Sequence, residues 1–371
     1  MTHKLHIDVE TYSSVDIMTS GAYKYCESPD FEILMIAYAF NHGPLRLIDL
    51  ANGEDMPAEF IEALHDPDIE KHAHNANFER LCFKAYGFEV PVNHWHCSAI
   101  KAGYCGLPLA LFGASRALNL KEYGKSAAGK ALIKIFCGPV KPTKANGMKT
   151  RIYPEDQPEK WEAFKEYCIQ DVIAEREIGE RLSKYTIPES ERTLYFLDQK
   201  INDTGILIDL DFAKNASQID DLFSAELLTQ LKQITGLDNP NSPAQLKKWL
   251  GDQTGKSVGS LAKGEIPALL EGCESPEVKR VLELRQMGSK TSTKKYIAML
   301  NCACEDNRAH GLFQFYGANR TGRWAGRLIQ MQNLPQNHLD TERDLNGLQD
   351  ARDLIAGGDY EHITLMYEDI P

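Results

Sequence analysis

The chain has 371 residues, 43% of them hydrophobic, and a formal net charge of −12 at pH 7. This length is about twice that of a typical domain, so we expect two domains and a sizeable core. The nine cysteines include no Cys-x-x-Cys pair, which is typical of a reduced, cytosolic protein rather than a disulfide framework. The first strand begins by about residue 5, so we predict no signal peptide, and no transmembrane span is expected.

Strand-like and helical patterns alternate over residues 1–187. Strands are predicted over 5–9, 33–40 and 45–49, and helices over 58–65, 78–86 and 161–184. Such alternation predicts an α/β layer fold.

A mainly helical region follows Pro188 and continues to about residue 305. Ser190 is the predicted N-cap of its first helix, and further amphipathic helices are predicted over 241–250 and 278–287. We therefore place a domain boundary near Pro188.

The acidic net charge does not exclude a nucleic-acid enzyme, because a phosphate track needs only a local basic surface. Residues 101–151 contain ten lysines or arginines and one acidic residue, Glu122. This segment is the best candidate for a phosphate-facing surface, and a solvated loop is the alternative.

Three short segments carry acidic residues that suit one metal site. Asp8 and Glu10 lie two apart in a predicted strand, so both carboxylates leave the same face. Tyr167 and Asp171 lie four apart in a predicted helix and share one helix face. The remaining segment, His74 to Glu79, adds a further carboxylate. Paired carboxylates beside a phenol are typical of two-metal phosphodiester hydrolysis.

The motifs Asp8-x-Glu10, Asn75-x-x-Phe78-Glu79 and Tyr167-x-x-x-Asp171 resemble those of the DEDDy 3′–5′ exonucleases in order and rough spacing. The resemblance implies an RNase H-like α/β domain, a mixed sheet flanked by helices. It also implies a two-metal site for Mg²⁺ or Mn²⁺ that releases nucleotides from a 3′ end.

The resemblance implies a role for each matching residue. The catalytic set is Asp8, Glu10, Glu79, Tyr167 and Asp171. Within it Asp8, Glu10 and Asp171 are the implied metal ligands, and Tyr167 is implied to orient the attacking water. The implied substrate contacts are Asn75, Phe78 and Thr11, and a purely structural role is an equal alternative for Asn75 and Phe78.

Glu79 departs from the family pattern, which has aspartate at that position. The additional methylene keeps the charge but moves it by more than about 1 Å. A second metal would then be held differently, so a weakened or silent nuclease is the alternative expectation.

A second resemblance lies near the far end of the sequence. Arg320 to Arg327, followed by Gln330 to Pro335, resembles the segment that enters the palm of family A DNA polymerases, especially phage ones. Gly288 to Tyr296 resembles the thumb of the same enzymes. The implied contacts to primer-template duplex are Lys290, Lys294, Lys295, Arg320, Arg323, Arg327, Gln332 and Asn333.

The whole chain thus resembles the N-terminal part of a family A polymerase. The implied domains are an exonuclease domain over 1–187, a helical thumb-like domain over 188–319 and the start of a palm over 320–371. The palm's catalytic carboxylates are not found in the sequence, so we expect proofreading exonuclease activity and no DNA synthesis by this chain alone. The alternative is a non-catalytic DNA-binding or assembly subunit whose palm and fingers lie on another polypeptide. The expected location is the cytoplasm of a bacterial host.

Several histidines suggest zinc at first sight. His72, His74, His94, His96 and Cys97 are close in sequence, but their spacing fits no standard zinc site. His-x-His pairs on strands usually pack or face solvent, and we expect the same here.

Overall fold

The computed structural model describes residues 3–120, 126–262, 264–271, 273–288, 292–318, 320–334 and 347–366. Its residues form two compact units, one from Met1–Leu207 with Asn301–Gln332 and the other from Ile208–Leu300 with Asn333–Pro371. No described helix combines the length and apolar character that a bilayer span requires.

The first unit begins with the α/β pattern that the sequence predicts. Its elements up to residue 207 are β1 (His3–Tyr12), α1 (Ile17–Cys26), β2 (Glu32–Phe40), β3 (Arg46–Ile48), α2 (Ala58–His65), β4 (Ile69–Ala73), α3 (Asn77–Ala85), β5 (Trp95–Cys97), α4 (Ser98–Tyr104), α5 (Leu111–Ala117), α6 (Ser126–Phe136), α7 (Pro158–Arg181), α8 (Glu189–Thr204) and β6 (Ile206–Leu207).

Five strands form one mixed sheet in the order β3-β2-β1-β4-β5. Strand β1 pairs antiparallel with β2 and parallel with β4. At the two edges of the sheet, β3 pairs antiparallel with β2 and β5 pairs parallel with β4. The predicted α/β layer fold with a mixed sheet flanked by helices is confirmed.

Side-chain alternation along β1 separates two environments. Leu5, Ile7 and Val9 belong to a buried cluster that also contains Phe60 of α2 and Phe83 of α3. The opposite face of the sheet is covered by α7, which packs on β1 and β2. There Phe164, Cys168 and Val172 of α7 share a second buried cluster with Leu34, Met35 and Ala37 of β2. The acidic residues of β1 lie on this α7 side.

The chain later returns to the first unit. Its elements there follow the end of α13 (Lys294–Cys302) and are β7 (Arg308–Ala309), β8 (Phe313–Ala318) and β9 (Arg323–Gly326). Strand β7 pairs with β6, and the Asn202 amide both donates to and accepts from the backbone of Phe313 at 3.0 Å. The compact units therefore do not divide at the predicted domain boundaries near 187 and 319, which stay predictions.

The second unit is helical, as the sequence predicts. Its described helices are α9 (Leu210–Thr235), α10 (Pro243–Thr254), α11 (Ile266–Glu271), α12 (Pro276–Met287), α14 (Gly347–Gly357) and α15 (Tyr360–Met366), and it also contains most of α13. Leu227 and Leu231 of α9, Leu250 of α10 and Val281 of α12 meet in its buried cluster. Helix α14 packs on α9, where Asn215 donates to the Ala356 carbonyl at 2.7 Å.

The predicted cap at Ser190 is wrong. Helix α8 begins at Glu189, and its N-cap is Pro188, whose φ of −57° and ψ of 150° are extended. Proline fixes φ and has no N–H to donate, so the helix begins directly after it and Ser190 lies within the first turn.

We expect Phe164→Ala to lower the free energy of unfolding by about 3 to 5 kcal/mol. The Phe164 ring is fully buried, at 0% exposure, and packs on Phe136 and Trp161, so its removal leaves a cavity beneath α7. Urea unfolding followed by far-UV circular dichroism measures the loss. Phe112→Ala is the control, because that ring is 39% exposed; equal losses in the two variants would contradict the prediction.

Candidate metal centre

Three carboxylates from two elements converge on the α7 side of the sheet. Asp8 and Glu10 come from neighbouring same-face positions of β1, and Asp171 comes from α7. Each offers an oxygen atom, and these atoms all lie within 4.8 Å of one another. The sequence predicts this convergence, because both spacings place their side chains on one face of one element. The role of the three residues as metal ligands stays a prediction.

The pKa values of all three carboxyl groups are raised, chiefly by burial. Burial and then the charge of Asp171 hold the pKa of Asp8 well above its ordinary value, and burial and then Asp8 do the same for Glu10. Burial raises the pKa of Asp171 to about 6, although a hydrogen bond from Tyr167 works against the shift. Hard oxygen donors that repel one another fit a divalent cation such as Mg²⁺ or Mn²⁺, whose charge would offset the repulsion.

Tyr167 stands beside these carboxylates and is half-buried. Its hydroxyl donates to Asp171, and burial followed by the charge of Asp171 raises the pKa of the phenol. The ring stacks on Phe164 with centroids 6.2 Å apart. On another side it touches Gly129 of α6, where any Cβ atom would overlap the ring. The phenol therefore stays protonated and has little freedom to move.

Glu79 lies near this group but outside it. It is 3% exposed, in the first turn of α3. Burial, and then the charge of Asp8, hold its pKa well above the ordinary value. Its Oε2 atom has no hydrogen-bond partner among the described residues. A buried carboxylate oxygen without a donor is costly, and a second cation beside Asp8 would satisfy it.

The predicted substrate contacts differ in exposure. Asn75 is exposed, with a positive φ of 70°, in the turn that precedes α3. Phe78 is half-buried, and its ring centroid lies 6.1 Å from that of Tyr25. Thr11 is buried, and its hydroxyl lies 2.8 Å from the Tyr25 hydroxyl. Asn75 is therefore the one of these three side chains that is open to solvent, and the substrate roles of all three stay predictions.

Three neighbours of the carboxylates were not predicted from the sequence. Cys168 Sγ lies 3.5 Å from Asp8 Oδ2, and Cys137 Sγ lies 3.8 Å from Glu10 Oε2. Glu175 adds to the negative charge that acts on Asp8. Its position four residues after Asp171 on the same helix face was a usable signal, whereas nothing near Cys137 in the sequence indicated its place.

The predicted duplex-binding residues lie in both units. Arg320, Arg323 and Arg327 are exposed at or beside the hairpin of β8 and β9. Gln332 packs against Gly326, where a Cβ would overlap its amide, so this glycine is needed for the close approach. The remaining residues are Lys294 and Asn333, both exposed, and Lys295, which is half-buried, whereas Lys290 lies outside the described residues.

The histidines near β4 and β5 separate into two groups. His74 is occupied, with Ser98 Oγ and the Leu109 carbonyl each 2.8 Å from its ring nitrogens, and His94 lies in a short 3₁₀ helix. His72 and His96 stack on one another and share a carboxylate neighbour, Glu70, which the sequence did not indicate.

No family model matches the sequence. A DNA polymerase of Bacillus phage SP02 is 51% identical over 368 residues, which is 99% of this chain and 56% of the relative. The chain is homologous to part of a phage DNA polymerase. The predicted resemblance to part of a phage DNA polymerase is confirmed, and the exonuclease, thumb and palm assignments stay predictions. The chain spans little more than half the length of that relative.

A solved structure supports the same fold. The POL domain of Pol1 from M. smegmatis, in complex with DNA primer-template and dNTP, aligns with 91% of this chain and 53% of its own. The TM-score is 0.51 and the sequence identity is 16%. At that identity the likeness concerns the fold alone.

Asp171→Asn should stabilise the metal-free protein above about pH 6. The pKa of Asp171 rises from 3.8 to about 6 on folding, so the folded state binds this proton more tightly than the unfolded chain does. Charging the group therefore costs stability as pH rises through this interval, and asparagine removes the cost. Thermal melts in chelator between about pH 4 and pH 8 should show the difference growing up to about pH 6 and constant above it.

Excess Mg²⁺ should reverse the order, because it binds and stabilises the native wild type. Asp68→Asn, at an exposed aspartate, is the control and should follow the wild type throughout. A variant Asp171→Asn that is less stable than the wild type in chelator at every pH would contradict the assignment.

Proposed function

We propose that this chain is the exonuclease-bearing portion of a family A DNA polymerase, a metal-dependent 3′–5′ exonuclease that removes terminal nucleotides from DNA. The observation that carries the proposal is the convergence of Asp8, Glu10 and Asp171 beside Tyr167. Homology to a phage DNA polymerase supports the nucleic-acid substrate. The strand order β3-β2-β1-β4-β5, with β2 antiparallel to β1, supports an RNase H-like domain.

The residues of the centre have different proposed roles. Asp8, Glu10 and Asp171 would hold Mg²⁺ or Mn²⁺, with Glu79 available to a second ion beside Asp8. Two bound metals would lower the pKa of a water nucleophile and stabilise the leaving 3′-oxygen. The Tyr167 phenol is protonated, and its hydroxyl is fixed by donation to Asp171. It is therefore suited to orient a water molecule against the terminal phosphate.

The proposal extends to the rest of the chain. Residues 1–187 are assigned to the exonuclease domain, 188–319 to a thumb-like domain and 320–371 to the start of a palm. The exposed arginines of the β8–β9 hairpin, with Lys294 as a further contact, supply cations for duplex phosphates. Proofreading in the cytoplasm of a bacterial host is the corresponding biological role.

The decisive experiment follows a 5′-labelled single strand after addition of purified protein with Mg²⁺, with Mn²⁺ or with chelator. We expect a ladder that shortens from the 3′ end only when metal is present. Asp8→Ala should lower the rate at least about 1000-fold, because a metal ligand supports several kcal/mol of charge stabilisation. Asp68→Ala, at an exposed aspartate, should keep the wild-type rate.

Two outcomes would reject the proposal. An undiminished ladder from Asp8→Ala would remove the centre from the reaction. If no ladder forms with either metal while the protein still binds DNA, a non-catalytic DNA-binding or assembly subunit is favoured.

Glu79 can be tested separately, because its charge and its length can be changed one at a time. Glu79→Gln keeps the size of the side chain and should lower the rate at least about 100-fold, or about 2.7 kcal/mol in activation free energy. Glu79→Asp keeps the charge and should stay within about tenfold of the wild type. A full rate from Glu79→Gln, in a protein that melts normally, would leave Glu79 with a structural role only.

A further inference from the structure

A row of three histidines crosses three neighbouring parallel strands. His6 of β1 is the register partner of His72 of β4, and His72 is the register partner of His96 of β5. Adjacent imidazole centroids lie 5.0 Å and 4.8 Å apart. Each end of the row meets a carboxylate, Glu175 beside His6 and Glu70 beside His72 and His96. The arrangement is therefore built from strand pairing and not from loose surface side chains.

The inner end of the row is satisfied within the protein. His6 Nδ1 and Glu175 Oε2 lie 2.6 Å apart, and the two side chains are 7% and 2% exposed. A metal ion bound there would have to break this short buried hydrogen bond. His6 and Glu175 line the same groove as His72 and His96, so it is this hydrogen bond, and not a lack of access, that distinguishes the inner end.

The outer end is open and has the chemistry of a ligand set. His72 Nε2 lies 3.0 Å from Glu70 Oε2, and His96 Nε2 lies 3.7 Å from Glu70 Oε1. The side chains of Glu70 and His96 are 30% and 28% exposed, and His72 and His96 line a groove of about 890 Å³. The two imidazole rings are nearly parallel, at 14°.

We propose that Glu70, His72 and His96 form a binding site for one divalent transition-metal ion of the Zn²⁺ class. Two imidazole nitrogens and one carboxylate are a ligand set that Zn²⁺ uses when a fourth position stays open to solvent. The ligand atoms lie within 4.8 Å of one another. Tetrahedral coordination with bonds of about 2.1 Å needs separations of about 3.4 Å. The side chains would have to rotate to reach these separations, and Glu70 and His96 are the more exposed of the three.

This site differs in kind from the carboxylate centre. Nitrogen donors favour Zn²⁺ over Mg²⁺, whereas the oxygen donors of Asp8, Glu10 and Asp171 suit Mg²⁺. The pKa of His96 is lowered to about 4, by burial and then by His72, so its imidazole is neutral at pH 7 and available to a metal. The two sites share no residue, and they can be loaded independently.

The test is a Zn²⁺ titration of the full chain, free of any affinity tag, in competition with a chromophoric chelator and with excess Mg²⁺ present. Excess Mg²⁺ competes with Zn²⁺ for the carboxylate centre. We expect one tightly bound Zn²⁺ per chain, and a visible absorption band when Co²⁺ replaces it. His72→Gln and His96→Gln should each weaken binding more than the roughly 10- to 100-fold that loss of a supporting hydrogen bond costs.

Two variants are matched controls for Zn²⁺ binding, and a third is the substitute for a ligand variant that does not fold. His42→Gln alters a histidine of the same groove that is 80% exposed and outside the ligand set, and it should bind like the wild type. His6→Gln should also retain binding. Glu70→Gln replaces His72→Gln if the latter fails to fold, as judged by circular dichroism without metal.

Three results would overturn the proposal. If the wild type binds no Zn²⁺ under excess Mg²⁺, the histidines and Glu70 form a packed surface and not a metal site. Undiminished binding by His96→Gln removes the outer site. Loss of binding in His6→Gln with retention in His96→Gln moves the ion to the buried end of the row.

Discussion

The candidate centre depends on a match between two distances: the rise between same-face side chains along α7 and the rise between same-face side chains along β1. Four residues of a helix rise about 6 Å, and two residues of a strand rise about 6.6 Å. Side chains spaced by four on α7 can therefore meet side chains spaced by two on β1 over several positions. Asp171 meets Asp8 and Glu10, and one turn later Glu175 meets His6. The order of these pairs shows that α7 runs antiparallel to β1. A shift of either element by one residue would separate every pair at once.

The hydrophobic clusters on both faces of the sheet hold this match in place. Phe164, Cys168 and Val172 of α7 are fully buried against β2, and they alternate along the helix with the polar stripe that begins at Tyr167. Burial of the apolar residues fixes the height and rotation of α7, and it places the carboxylates in a partly desolvated layer as a consequence. Their raised pKa values are the electrostatic cost of that placement. The apolar contacts of α7 provide the stability that offsets it.

The sequence was sufficient where a feature depends on one element and insufficient where it depends on several. Helix α2 was predicted over its observed residues, and Asp8, Glu10, Tyr167 and Asp171 were predicted because periodicity defines a face within one strand or helix. The histidine row was missed because register between parallel strands is set by tertiary packing, which no local pattern encodes. The hydrogen-bond partner of Thr11 was missed for the same reason, since Tyr25 comes from another element. The error at Ser190 was local, and the backbone of Pro188 accounts for it.

The pair of His6 and Glu175 lies between the oxygen-rich centre and the nitrogen-rich end of the histidine row. Glu175 is buried, and the hydrogen bond from His6 lowers its pKa against the effect of burial. Its negative charge in turn raises the pKa of Asp8 and Glu79. A histidine partner limits this repulsion, because its N–H donates to the carboxylate and draws part of the charge away from the centre. Without His6, the full charge of the Glu175 carboxylate would act on Asp8 and Glu79. His6 therefore moderates the negative charge near the carboxylate centre through Glu175, and its ring is also the first of the three neighbouring imidazoles.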